Sequence, residues 1–247
     1  VRTYLPMNNT VRSRREMIDV GVRLLSYLQP MEGLKERVLE EEEWEAAWKA
    51  HFTLLKIGTR LVIKPTWQEY TSGAEETVVE LDPGMAFGTG HHPTTRACLE
   101  ELERRVVPGM RVLDLGTGSG ILSIAAAKLG AGEVIALDVD EGAVRTADAN
   151  CRYNKVGSMV QILQGTLPHP SAGSGSFDLV VANITAKAIV SAAPALAVVL
   201  APTGVLVASG IIEEHQNEVE QALQGVLKVL ERHYDGDWVT LVAGCSG

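Results

Sequence analysis

From Arg111 to the C-terminus, short aliphatic runs alternate with helix-like stretches, and this alternation restricts the fold more than any other feature of the chain. RVLDLG, beginning at Arg111, reads as a buried strand, and SGILSIAAAKLG as a small-residue helix ending at Gly130. EVIALDVD reads as a strand and EGAVRTADANCRYN as a helix with Ala143, Val144, Ala147 and Cys151 on one face. MVQILQG and FDLVVANI are strands on either side of the loop PHPSAGSGS. Residues 213–230 have the spacing of an amphipathic helix, with Val219, Ala222, Leu223, Val226, Leu227 and Leu230 on its apolar side. HY and DWVTLVAG then flank Asp235-Gly236, the signature of a hairpin turn. Such alternation buries both faces of a sheet when the strands run parallel and helices lie on both sides. The predicted class is therefore α/β: a doubly wound, mostly parallel, seven-stranded sheet with an antiparallel C-terminal hairpin.

One stretch competes with that reading. Ala188 to Ile212 carries no charge over 25 residues, long enough for a membrane span. Pro194, Pro202 and Gly204 interrupt it, and APTG reads as a turn. It is read instead as an apolar helix followed by the buried strand GVLVASGI. Upstream, residues 11–29 have an apolar helical face made by Val11, Met17, Ile18, Val22, Leu25 and Leu28. Trp44 and Trp48 are spaced for one face of a second short helix, behind the acidic run Glu40 to Glu43. RLVIKPTW and TVVELD read as strands around the polar turn YTSGAEE.

Charge narrows the class of partner. Residues 1–81 carry 11 basic and 13 acidic side chains, and residues 82–247 carry 11 and 18. The main domain is thus acidic, which opposes a nucleic-acid footprint and suits a cationic substrate. Cys98, Cys151 and Cys245 form no CxxC pair, so a disulfide framework or zinc ribbon is not expected and a reducing cytoplasm is. No signal-peptide pattern is legible at the N-terminus.

The segment VLDLGTGSG places Gly116, Gly118 and Gly120 directly after a strand and at a helix start. Missing side chains there permit a tight turn and the close approach of a ligand, and a helix N-terminus favours an anionic group. Asp138 ends the next strand, where a carboxylate in a Rossmann-like sheet can accept from ribose hydroxyls; Asp140 is the better cap for the helix that follows. Together these point to an adenosine-bearing cofactor. The spacing is GxGxG rather than GxGxxG, and Asp114 stands two residues ahead of Gly116. A carboxylate there would repel a pyrophosphate but suits an ammonium group. This is similar to the D-x-G-x-G-x-G pattern of S-adenosylmethionine-dependent methyltransferases, and a nicotinamide dinucleotide is the competing cofactor.

FGTGHHPTTR, from Phe87 to Arg96, sets two histidines between a glycine-rich turn and a helix start. Pro93 suits a first helical position, which makes His92 a capping-region residue. Adjacent histidines do not readily share one metal ion, and no Asp, Glu or Cys cluster completes a site, so no metal is expected. In order, DPGMAFGTGHHPTTR, VLDLGTGSGILSIAAAKLGA, ALDVD and FDLVVANI resemble the ribosomal protein L11 methyltransferase family. WEAAWKAHF and RLVIKPTW resemble that family's linker, and the likeness covers roughly residues 40–247.

The resemblance implies a class I methyltransferase fold, S-adenosylmethionine as cofactor, and methylation of amino groups on a ribosomal protein. It implies that Thr95, Asp114, Gly116, Gly118, Asp138 and Asn183 bind cofactor, with Asn183 also near the transferable methyl as an orienting catalytic residue. It makes His92 the motif histidine and leaves the His91 position variable. It also divides the chain into a shortened N-terminal recognition segment (1–40), a linker region (41–81) and a methyltransferase domain (82–247). Asn183-Ile184-Thr185 stands where family members often have NIL. No NPPY motif is present, which argues against planar amide substrates. A protein amino-group methyltransferase, a small-molecule methyltransferase and a cofactor-binding module without turnover all remain open at this point.

Overall fold

A computed structural model describes residues 11–26, 52–82 and 90–245. By its contacts the chain divides into two compact units, residues 1–51 and 52–247. In the first, helix α1 spans Val11–Ser26; residues 27–29 of the predicted helix lie outside the described residues. Ile18 and Val22, one turn apart, are half-buried, whereas Met17 is exposed. The helix read around Trp44 and Trp48 lies outside the described residues, as does Leu28.

The second unit opens with a small sheet of three strands, β1 (Leu55–Ile57), β2 (Leu61–Pro65) and β3 (Thr77–Leu81). β1 and β2 form an antiparallel hairpin. β2 and β3 pair in parallel, so the polar stretch between them is a crossover rather than a hairpin turn. Glu76 fixes its far end: it accepts from the Lys56 ammonium, the Tyr70 hydroxyl and the Gly73 N–H.

The main sheet contains β4 (Arg111–Leu115), β5 (Glu133–Asp138), β6 (Val160–Gln164), β7 (Phe177–Asn183), β8 (Leu200–Ile212), β9 (Lys228–Asp235) and β10 (Trp238–Gly244). Their spatial order is β6-β5-β4-β7-β8-β10-β9. All neighbours are parallel except β10, which runs antiparallel to both β8 and β9. The seven-stranded, mostly parallel sheet with its C-terminal hairpin is the one the sequence predicts.

Helix α2 (Pro93–Arg105) precedes the sheet, and α3 (Ile121–Lys128), α4 (Glu141–Tyr153), α5 (Ala186–Val199) and α6 (Gln216–Gln224) follow its strands. The pleat sorts them. Leu113 and Leu115 of β4, Ile135 and Leu137 of β5, and Leu206 and Ala208 of β8 form one core with α5 and α6. Residues of the opposite parity, such as Asp114, face α3.

Three local readings change. Residues 213–230 are not one helix: a 3₁₀ turn (Glu213–His215) leads into α6, which stops at Gly225, and Lys228 already belongs to β9. Val226, Leu227 and Leu230 fit a helical period, but pairing of the backbone from Lys228 with β10 decides their fate. Pro194 lies inside α5 without ending it, because its ring sits on the exposed face. APTG is an irregularity within β8, where register with β7 shifts, rather than a turn before it.

Candidate active site

The order of strands reverses beside β4: the chain builds outward through β5 and β6, then returns to add β7 on the other side. In open α/β sheets ligands bind at the carboxyl ends of the strands flanking such a point. Asp114, the glycine turn, Asp138 and Asn183 all lie at those ends.

Gly116, Gly118 and Gly120 have φ of 79°, 55° and 83°, in the region that favours glycine. A Cβ on Gly116 would meet Ile184 Cγ2 at 2.2 Å, and one on Gly120 would meet Ala147 Cα of α4 at 3.1 Å. The turn is therefore glycine-rich for packing as well as for conformation. Its N–H groups are mostly engaged inside the protein. Gly116 and Thr117 donate to the Leu137 carbonyl, Gly118 to Asp138 Oδ2 at 2.9 Å, and Gly120 to the Thr117 carbonyl. The donors expected to await an anion are thus largely spent on fixing the turn. Asp138 also accepts from the Asp140 N–H through Oδ1, and Asp140 itself caps α4 by accepting from Gly142. Each Asp138 oxygen keeps a second lone pair for a ligand.

Asp114 is buried. Its Oδ2 accepts from Thr117 Oγ1 at 2.7 Å and from Ser123 Oγ at 2.6 Å, while Oδ1 is buried without a hydrogen-bond partner. Burial pushes its carboxyl up to about 6, the two hydroxyls pull it down, and the Asp138 charge pushes it up again.

Across the switch point, Asn183 Nδ2 donates to Thr95 Oγ1 at 3.2 Å, joining the end of β7 to the first turn of α2 over 88 positions of sequence. Thr95 is fully buried. His92 is the N-cap of α2, with Nδ1 accepting from the Thr94 N–H and lying 2.8 Å from Thr94 Oγ1. Burial holds its imidazole below the ordinary value, which suits an acceptor. The two histidine rings diverge: His92 packs edge-on to Trp238 and His91 edge-on to Phe52. Among the described residues, the grouping of side chains that could gather round a metal ion is Glu101, Glu231 and His233, which includes neither. Arg104 and Arg105 already bridge both of its carboxylates. Burial raises the Cys98 thiol far above its ordinary value and the Cys151 thiol to about 12, so neither is a ready nucleophile.

The model of the family described as ribosomal protein L11 methyltransferase (PrmA) matches residues 5–245. The chain belongs to this family. It is 44% identical over 265 residues to the ribosomal protein L11 methyltransferase of Chloroflexus aurantiacus, covering 98% of this chain and 81% of that one. It is 47% identical over 245 residues to that of Pelotomaculum thermopropionicum, covering 98% and 78%. A solved ribosomal protein L11 methylase from Lactobacillus delbrueckii subsp. bulgaricus superposes with a TM-score of 0.73 at 32% identity, covering 79% of this chain and all of that one. The match begins at residue 5, well ahead of residue 40, where the resemblance in the motifs starts.

In this chain the structure brings Thr95 and Asn183 into contact, and ties Gly118 to Asp138. Asp114 stands one strand inward, its carboxylate enclosed with Thr117 and Ser123. Sequence reasoning missed these two hydroxyls, although LDLGTGSGILS sets them three and nine residues after Asp114. It also missed that Ile184 covers Gly116. Thr185 next to it caps α5.

Proposed function

We propose that this methyltransferase moves methyl groups from S-adenosylmethionine to amino groups, on a lysine or an N-terminus, of a ribosomal large-subunit protein. The observation that carries the reading is the Asn183–Thr95 hydrogen bond beside the glycine turn. It puts a side-chain amide, held in place, where β7 ends at the switch point.

Two features suit the cofactor. Asp114 Oδ1 is a buried carboxylate oxygen in want of a donor, and an ammonium group supplies one. Asp138 presents spare lone pairs at the end of β5, suited to ribose hydroxyls. Gly116, whose missing side chain makes room for Ile184, and Gly118 shape the turn beside the ligand, and Thr95 with Asn183 completes the wall. When bound, S-adenosylmethionine supplies a methyl group already activated by its sulfonium.

What remains for the protein is alignment. Asn183 can orient an incoming amine through its side-chain oxygen while its nitrogen is held by Thr95. The amine must first lose a proton, from a reference pKa of about 10.4 for lysine or about 7.7–8.0 for an N-terminus. Desolvation in the cleft lowers that value and bulk solvent can take the proton, so no side chain is assigned as general base. The surplus of 18 acidic over 11 basic side chains in residues 82–247 attracts a cationic protein. Residues 82–247 hold the cofactor chemistry in this account, with 41–81 as connection and 1–40 as recognition segment. The setting is the cytoplasm, where ribosomal proteins are made. No helix among the described residues is long and apolar enough to cross a membrane.

Radiolabelled methyl transfer into a mixture of ribosomal proteins tests the reading. Label is expected on amines of one large-subunit protein. Label only on free small amines would move the assignment to small-molecule methylation, and tight NADH binding without methyl transfer would overturn it.

A further inference from the structure

Two asparagines one helical turn apart, Asn150 in α4 and Asn154 at its C-cap, are buried against strand β3. Each uses its side-chain amide as a strand would use its backbone. Asn154 accepts from the Glu80 N–H at 2.9 Å and donates to the Glu80 carbonyl at 2.6 Å. Asn150 accepts from the Asp82 N–H at 3.1 Å and donates to the Asp82 carbonyl at 3.0 Å. The geometry matches because one helical turn rises about 5.4 Å and two strand residues span about 6.6 Å, so positions i and i+4 of a helix can face i and i+2 of a strand.

The two differ in one respect. Asn150 also donates to the Ser119 carbonyl at 2.8 Å, inside the glycine turn. Asn154 instead donates to the Asn150 carbonyl of its own helix. Asn150 therefore touches both the turn that closes round Asp138 and Asp82, which begins the stretch DPGMAFGTGHHPTT leading to Thr95.

We propose that Asn150 is a positioning residue: it holds the glycine turn and the Asp82 end of β3 in one register, so that cofactor binding at the turn is coupled to Asp82. Its amide reaches both backbones at once. Removing it takes the Asn150 hydrogen bond away from the buried Ser119 carbonyl and leaves the turn less fixed, whereas removing Asn154 loosens β3 alone. The inference rests on the reading that the glycine turn holds S-adenosylmethionine.

Calorimetric titration of S-adenosylmethionine into the wild-type chain, Asn150→Ala, Asn150→Asp and Asn154→Ala separates these roles. Wild-type binding tests the underlying reading; the variants test the inference. Losing a buried hydrogen bond of this kind is expected to weaken binding about tenfold in both Asn150 variants, since aspartate cannot donate to Ser119. Asn154→Ala should leave affinity within about twofold while losing similar thermal stability. Should the Asn150 variants fail to fold, amide hydrogen exchange on the wild-type chain decides, because coupling is reciprocal. Cofactor is then expected to slow exchange at the Asp82 N–H more than at the Glu80 N–H. Equal affinity losses at positions 150 and 154, or equal protection of Asp82 and Glu80, would overturn the proposal.

Discussion

Asp114 is a buried carboxyl whose ionisation the fold opposes. It titrates near 6 against an ordinary 3.8, with burial as the main cause, the Asp138 charge acting in the same direction, and Ser123 and Thr117 opposing. Between those two pH values the folded chain keeps a proton that the unfolded chain gives up. Its contribution to stability is therefore full below about 4, falls as pH rises to about 6, and stays low above. The penalty at neutral pH is at most about 3 kcal/mol, at roughly 1.4 kcal/mol per unit. Asp114→Asn has no charge to bury, so the Tm of the ligand-free variant should vary less between about pH 4 and pH 6 than that of the wild type. The same substitution should weaken S-adenosylmethionine binding, and wild-type affinity should rise with pH through about 6 as the carboxylate forms. Thermal melts across that range check the first part; identical slopes in both proteins would contradict it. The position of Asp114 was legible from its spacing to Gly116. Its enclosure was not, because Thr117 and Ser123 read as ordinary residues of a turn and a small-residue helix.

Among elements, the joint between α2 and β9 is the least visible in sequence. Glu101 in α2 and Glu231 in β9 share Arg104 and Arg105 across more than a hundred positions. Hydrogen bonds from Arg105 and then Arg104 hold the Glu231 carboxyl down at about 2. A carboxyl lowered in the fold stabilises above its ordinary value and loses that contribution as pH falls toward 2. Because Glu231 is partly exposed, Glu231→Gln is expected to cost about 1 kcal/mol or less. Chemical denaturation measures this, and S-adenosylmethionine affinity should be unchanged because the joint lies at the far edge of the sheet. A variant that loses affinity in step with stability would tie β9 to the site. The same element shows where periodicity misleads. Val226, Leu227 and Leu230 suit a helix continuing from α6, yet Gly225 and an available partner strand turn Lys228–Asp235 into β9. Conversely β4, β5 and β7 were legible because each is an aliphatic run with a polar residue at or next to its carboxyl end (Asp114, Asp138, Asn183), and nothing competes for them.

At the scale of the molecule, strand–helix alternation from Arg111 determined the sheet, and two acids with three glycines marked its switch point. What the sequence could not reveal is which distant residues meet. Thr95 and Asn183 were assigned by resemblance to one pocket; their contact comes from α2 packing beside the end of β7. The parallel pairing of β2 with β3 was hidden for the same reason, since a polar stretch between two strands looks alike whether it turns or crosses over. In the proposed function, the Thr95–Asn183 contact holds an amide at the point of methyl transfer. Single-turnover methylation of a purified ribosomal protein substrate, at saturating S-adenosylmethionine, compares the wild type with Asn183→Ala most directly. The rate is expected to fall by about a hundredfold or more while cofactor affinity changes by about tenfold or less, as for an interaction made mainly in the transition state. A loss of cofactor affinity with an unchanged single-turnover rate would contradict it.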